Sequence, residues 1–236
     1  MPRLVLWNVD HTLVDVGRVT REAYAEAFAR VTGRPLVRLA PTAGRTESEI
    51  IFETLAFNDV VTTEDHLAEF MTALGDAFAS RRKSIRKDGR VLPGAREALA
   101  SVGRLRDVIQ SVLTGSIERN AIAKLTALGL DKYVDFEVGG YGSETYPKAA
   151  LVELARTRTA QKYGTRIAEA ATVLIADSPN DVRAAHIASA RIIAVATGNA
   201  TEAELRGAGA DVVIPTLADT DRVVRAVESL TDPGPA

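Results

Sequence analysis

The sequence has no cysteine and only three histidines in 236 residues. The first absence excludes a disulfide framework, thiolate zinc sites, iron–sulfur clusters and cysteine nucleophiles, and it is compatible with a reducing cytoplasm. Any metal must therefore sit on oxygen or on those few imidazoles. An excess of one charge is missing too, since 29 basic against 31 acidic side chains leave a net charge of -2. Nucleic-acid coats and polybasic membrane anchors need a surplus of one sign, so neither partner is expected. After Met1-Pro2-Arg3 the apolar stretch that starts at Leu4 is too short for a signal peptide. Nowhere does a run approach the roughly 18 apolar residues of a membrane span.

What is present is a chain 46% hydrophobic and 25% charged, which is a folding composition and long enough for one or two domains. Leu4 to Trp7 is a short continuous apolar run, the signature of a strand buried on both faces. Similar runs follow at Val108-Ile109 with Val112-Leu113, Val134 to Val138, Val173 to Ile175, Ile192 to Val195 and Val212 to Ile214. Most are followed by small or polar residues and then a helical pattern. This alternation predicts an α/β fold, a Rossmann-like parallel sheet with helices on both faces.

Between the first run and Leu92-Pro93-Gly94 the period changes. Ala23, Tyr24, Ala27, Phe28 and Val31 share one helical face, as do Leu67, Phe70, Met71, Leu74 and Phe78. Thr46 to Glu49 has the form of a capping box opening a further helix. We therefore expect a core from 1–14 and 91–236 and an inserted helical cap over 15–90, with hinges at Gly17 and Leu92-Pro93-Gly94. Thr231 to Ala236 is expected to be a frayed tail.

Ligands of open parallel sheets bind outside the carboxyl ends of the strands, so the residues after each run are the candidates. They are Asn8-Val9-Asp10-His11-Thr12, Thr114-Gly115-Ser116, Lys148 ahead of a helix, and Asp177-Ser178-Pro179-Asn180-Asp181. Gathered carboxylates suit Mg²⁺, and a lysine beside them suits the remaining charge of a phosphate. Taken singly each has a plainer reading: Asp177 as a helix cap, Ser116 as the N-cap of the segment from Ile117, Lys148 as a solvated first-turn lysine.

Together they resemble the haloacid dehalogenase superfamily of phosphatases, with four motifs in order over nearly the whole chain. The family's Asp-x-Asp-x-Thr appears as Asn8-Val9-Asp10-His11-Thr12, with His11 where glycine is frequent. The hydroxyl motif is matched by Leu113-Thr114-Gly115, the lysine by Lys148, which follows Tyr146-Pro147 and precedes Ala149 where proline is usual, and the acidic motif by Ile175 to Asp181. Spacing and insertion resemble the branch containing phosphoglycolate phosphatase and beta-phosphoglucomutase. The resemblance implies a Mg²⁺-dependent phosphomonoester hydrolase acting on a small phosphorylated metabolite through an aspartyl-phosphate. It makes Asp10 the acid–base group, Thr114 and Gly115 phosphoryl contacts and Lys148 the neutralising charge. Asn8, Asp10, Asp177 and Asp181 fall on the positions that hold the metal.

Asn8 departs from that pattern at the nucleophile's position, because an amide carries no full negative charge and cannot form the acyl phosphate. A deliberate Asp to Asn change, a natural non-catalytic or weak member, and deamidation back to aspartate are the alternatives. Asn8 precedes Val9 and not the glycine that eases deamidation. The second class of function is thus a phosphometabolite-binding or interaction module. Gly44-Arg45-Thr46 resembles a cap segment leaning over the site, in which Arg45 recognises a further anionic group on the substrate; a solvated arginine before a capped helix is the alternative. His11 is read as a spacer, His66 and His186 as structural.

Overall fold

Leu4 and Leu6 pack into one apolar cluster and Val5 and Trp7 into another, so the first strand, β1 (Arg3–Trp7), buries both of its faces. That is why its sequence is a continuous run and not an alternation. A computed structural model describes residues 2–145 and 147–232. Most of the tail expected from Thr231 onward falls outside them, as does Tyr146.

β1 leads to a two-residue strand β2 (Val14–Asp15), then to four helices, α1 (Gly17–Thr32), α2 (Glu47–Phe57), α3 (Glu64–Ser80) and α4 (Arg82–Asp88). The chain returns through β3 (Arg90–Val91), which pairs antiparallel with β2. These helices have an apolar cluster of their own, including Tyr24, Phe28, Ile51, Leu55, Phe70 and Phe78. The capping box at α2 forms as the spacing predicts, with Thr46 accepting from the Glu49 amide and Glu49 from that of Thr46.

From β3 the chain runs through α5 (Ala95–Val102), β4 (Val108–Thr114), α6 (Glu118–Ala127), β5 (Gly140–Tyr141), α7 (Lys148–Tyr163), β6 (Thr172–Ala176), α8 (Pro179–Ile187), β7 (Arg191–Val195), α9 (Glu202–Gly207), β8 (Val212–Ile214) and α10 (Thr220–Thr231). Six strands form a parallel sheet in the order β5-β4-β1-β6-β7-β8. Helices α5, α6 and α10 contribute to the cluster on the Val5 and Trp7 face, and α7, α8 and α9 to that on the Leu4 and Leu6 face. This is the expected α/β class.

One expected strand is absent. Val134 to Val138 includes a 3₁₀ turn, Phe136–Val138, and the edge strand is Gly140–Tyr141 beside Leu113 and Thr114. Tyr141 donates its hydroxyl to the Phe136 carbonyl at 2.6 Å, so the apolar run serves a tight turn beneath a buried aromatic. Helix α6 also starts later than expected. Ile117, not Ser116, is its N-cap, and the Ser116 hydroxyl is engaged elsewhere.

Candidate active site

The sheet order explains the site. β4, β1 and β6 are neighbours, and Thr114, Asn8 and Asp177 sit at or just past their carboxyl ends. Chain order diverges on either side of β1, which opens the crevice in which such sheets bind ligands. Asn8 donates its main-chain N–H to the Ile175 carbonyl at 2.9 Å, and this locks its side chain beside Asp177.

The Asn8 amide nitrogen faces three acceptors: Asp177 Oδ1 at 2.9 Å, the Asp10 carbonyl at 3.0 Å and Thr12 Oγ1 at 3.4 Å. Its Oδ1 accepts from Lys148 Nζ at 3.4 Å. Lys148, the first residue of α7 and only 5% exposed, donates at 2.5 Å to Asp181 Oδ1, while Ser178 donates at 2.6 Å to Asp181 Oδ2. Asp181 is thereby held on both oxygens by protein donors. Asp177 accepts a second bond from Thr12 at 2.8 Å, and its other oxygen lies where a side chain on Gly198 would intrude. The cap of α8 is Ser178, not Asp177, so Asp177 is free for the site.

Electrostatics separate the carboxylates. Burial pushes the Asp177 carboxyl up to about 6, with the Asp181 charge adding to the rise and bonds from Thr12 and Asn8 offsetting part of it. Burial also acts upward on Asp10, but there the Lys124 ammonium, with help from His11 and Ser116, wins and holds the carboxyl below its ordinary value. Asp10 Oδ2 accepts from Lys124 Nζ at 2.6 Å and from Ser116 Oγ at 3.1 Å.

A cavity of about 340 Å³ opens here, lined by Asn8, Asp10, Thr114, Gly115, Lys148 and Asp177 and, from the helical insertion, by Arg21, Tyr24, Ile50 and Phe78. The insertion sits tightly on the loop after β4 and on the start of α8. Glu47 N donates to the Gly115 carbonyl at 2.7 Å, and Asn180 Nδ2 to the Ala43 carbonyl at 3.2 Å. A Cβ on Gly115 would overlap the Arg45 carbonyl, which accounts for glycine there. His11, at the position where glycine is frequent in the resembling family, has φ 63°. Its carbonyl accepts from Thr197 Oγ1 at 2.6 Å, which holds the turn.

Of the residues singled out in the sequence, Asn8, Asp10, Thr114, Gly115, Lys148, Asp177 and Asp181 therefore meet in one place. Arg45 lines the same cavity, but its guanidinium is bound to Glu53 and to the Pro41 carbonyl. Three contacts carry no signal in the sequence: Lys124 and the Ser116 hydroxyl as partners of Asp10, and Glu47 and Tyr24 as partners of each other. Glu47 accepts from Tyr24 OH and, at 3.2 Å, from the Ile117 amide, so it ties α1 and α2 to the start of α6.

The model of the haloacid dehalogenase-like hydrolase family matches residues 5–186. No curated protein matches the chain. Among solved structures, a hydrolase from Pseudomonas syringae superposes with a TM-score of 0.66 at 20% identity, covering 96% of this chain and 99% of that one. A predicted phosphoglycolate phosphatase from Haemophilus somnus gives 0.62 at 18% identity, covering 94% and 97%. A beta-phosphoglucomutase from Clostridium difficile gives 0.70 at 15% identity, covering 97% and 98%.

Proposed function

The chain belongs to the haloacid dehalogenase-like hydrolase family, and from that premise we propose that its site is a phosphomonoesterase site for a small phosphorylated metabolite, with the covalent step blocked at Asn8. The observation that carries this reading is the gathering of Thr114, Lys148 and Asp177 with Asn8 in the lining of one cavity. Thr114 and the Gly115 loop meet the phosphoryl oxygens, and Lys148 meets their charge. Helices α1, α2 and α3, which line the cavity, act as a lid that excludes water and selects the substrate. The lack of cysteine favours a cytoplasmic setting.

Mg²⁺ is the cofactor we infer. The donors suit it: the Asp177 carboxylate, the Asp10 carbonyl and the Asn8 side chain converge, all able to offer oxygen once the Asn8 amide turns over. Among the described residues no three Asp, Glu or His side chains form a metal cluster by themselves, so the amide and the carbonyl are needed to complete the set. Asp181 acts through Lys148. When bound, the ion supplies charge neutralisation of the phosphoryl oxygens.

With aspartate at position 8, a carboxylate oxygen bonds to phosphorus as the ester bond breaks, and the departing oxygen takes a proton from Asp10. Water then bonds to phosphorus, gives its proton to Asp10 and frees the carboxylate. Asn8 offers no anionic oxygen for the first bond. That same observation favours a second reading, a module that binds phosphate esters without turning them over. The two are separated by assaying the chain and Asn8→Asp with Mg²⁺ against a panel of phosphate esters. Turnover by the variant alone supports the enzyme site with Asn8 as the block. Binding without hydrolysis in both supports the module, and absence of both Mg²⁺ and phosphate binding overturns the site assignment.

A further inference from the structure

Lys124 belongs to none of the four motifs. It lies on α6, is 2% exposed, and its ammonium stands 5.0 Å from the centre of the Phe78 ring. Nζ donates to Asp10 Oδ2 at 2.6 Å and to Ser116 Oγ at 2.9 Å, and Ser116 donates to the same Asp10 oxygen at 3.1 Å. Asp10 Oδ1 makes no side-chain hydrogen bond among the described residues. Lys124 also lines the cavity that holds Asn8, Thr114 and Lys148. The Lys124 charge also partly offsets the burial of Glu47, but its hydrogen bonds go to Asp10 and Ser116 and not to Glu47.

We propose that Lys124 is a positioning residue for the acid–base carboxyl: by saturating Oδ2 together with Ser116, it makes Oδ1 the oxygen that exchanges a proton with the leaving group. This inference rests on the phosphomonoesterase reading. The Lys124 charge favours ionised Asp10, so the carboxyl is a strong proton donor, and with two donors on Oδ2 the proton it gives up is the one on Oδ1. It passes to the ester oxygen as that oxygen parts from phosphorus, and the proton of the incoming water returns to Oδ1. Lys124 keeps its own protons throughout. Its influence is therefore greatest where the departing oxygen is a strongly basic alkoxide and small where it is a nitrophenolate, which leaves unaided.

The test uses the full chain carrying Asn8→Asp, with Mg²⁺, and reads first-turnover release of alcohol from glycerol phosphate and of nitrophenol from p-nitrophenyl phosphate. Adding Lys124→Met is expected to slow the alkyl ester about tenfold or more, within the range of general acid catalysis, and the aryl ester by less than about threefold. On top of Asp10→Asn, Lys124→Met should remove nothing further from the alkyl rate, because it acts only through Asp10. Equal losses on the two esters, no loss on the alkyl ester, or a further loss in the Asp10→Asn background overturns the inference. If Lys124→Met is unfolded by circular dichroism, Ser116→Ala removes the other half of the clamp and is judged by the same comparison. Hydrolysis of neither ester by Asn8→Asp itself overturns the phosphomonoesterase reading, and this inference with it.

Discussion

The Asn8 amide nitrogen lies 2.9 Å from Asp177 Oδ1, so at the position proposed for the nucleophile this chain has a hydrogen-bond donor facing a buried carboxylate. Aspartate at position 8 turns that contact into two anionic oxygens at close range, an arrangement that needs a cation between them. Asn8→Asp should therefore be less stable than the parent chain without divalent metal. Adding Mg²⁺ should raise its melting temperature by several degrees, given that about 1 kcal/mol corresponds to roughly 2–4 °C at this chain length. The parent chain should respond less, and thermal melts of both with and without Mg²⁺ check this. Equal responses would mean that Asn8 does not stand in the metal's path.

Lys148 and Asp181 form a buried ion pair at 2.5 Å. Removing one partner strands the other charge, which costs about 3–5 kcal/mol, whereas removing both is far milder. Lys148→Met should shift urea unfolding by about that amount, and Lys148→Met with Asp181→Asn should recover most of the loss. Both variants should lose protection by inorganic phosphate in the presence of Mg²⁺. Stability recovered together with phosphate protection would place the anion site away from Lys148.

The core strands were legible because burial on both faces leaves nothing polar in Leu4 to Trp7 or Val173 to Ile175. The same rule misled at Val134 to Val138, where an apolar run folds into a turn, and it passed over Gly140–Tyr141, a strand of two residues beginning with glycine. Site residues at strand ends were legible because topology alone brings the ends of β4, β1 and β6 together. Lys124 was not, since its partner Asp10 lies 114 residues away and a buried helix lysine has no local pattern to set it apart from a solvated one. Arg45 shows the converse: the resemblance of Gly44-Arg45-Thr46 to a cap segment put it over the site and it does line the cavity, but Glu53, on the α2 helix that follows, claims its guanidinium.

Close approach of the insertion to the loop after β4 depends on Gly115, where a Cβ would overlap the Arg45 carbonyl. The obstacle is backbone, so no rotamer change relieves it. Gly115→Ala should push 42–47 off the loop and make the segment 17–88 more sensitive to limited proteolysis, with a stability loss of about 1–3 kcal/mol from overpacking. Gly33→Ala is the control. Its φ is 68° but nothing stands within 4 Å of the added carbon, so it should carry only the left-handed backbone penalty of about 1 kcal/mol and leave proteolysis near the site unchanged. Equal proteolysis of the two variants would show that the seam is not set by Gly115.

Glu47 is buried where the insertion meets α6, and burial pushes its carboxyl above the ordinary value, only partly offset by the Lys124 charge and by bonds from Tyr24 and the Ile117 amide. A carboxyl raised in the folded state adds stability in its protonated form, below its unfolded value of about 4.3, and that contribution is lost as pH rises through the folded value. Glu47→Gln keeps an acceptor for the Ile117 amide and cannot ionise. The difference in melting temperature between Glu47→Gln and the parent chain should therefore grow in favour of glutamine as pH rises from about 4 to 7.5. Thermal melts of the pair across that range read it directly. A difference that stays flat would mean that the ionised carboxylate is fully compensated by Lys124 and Tyr24. One that reverses would mean that the charge itself holds α2 against the loop after β4, with the Lys124 ammonium losing a stabilising neighbour when glutamine replaces it.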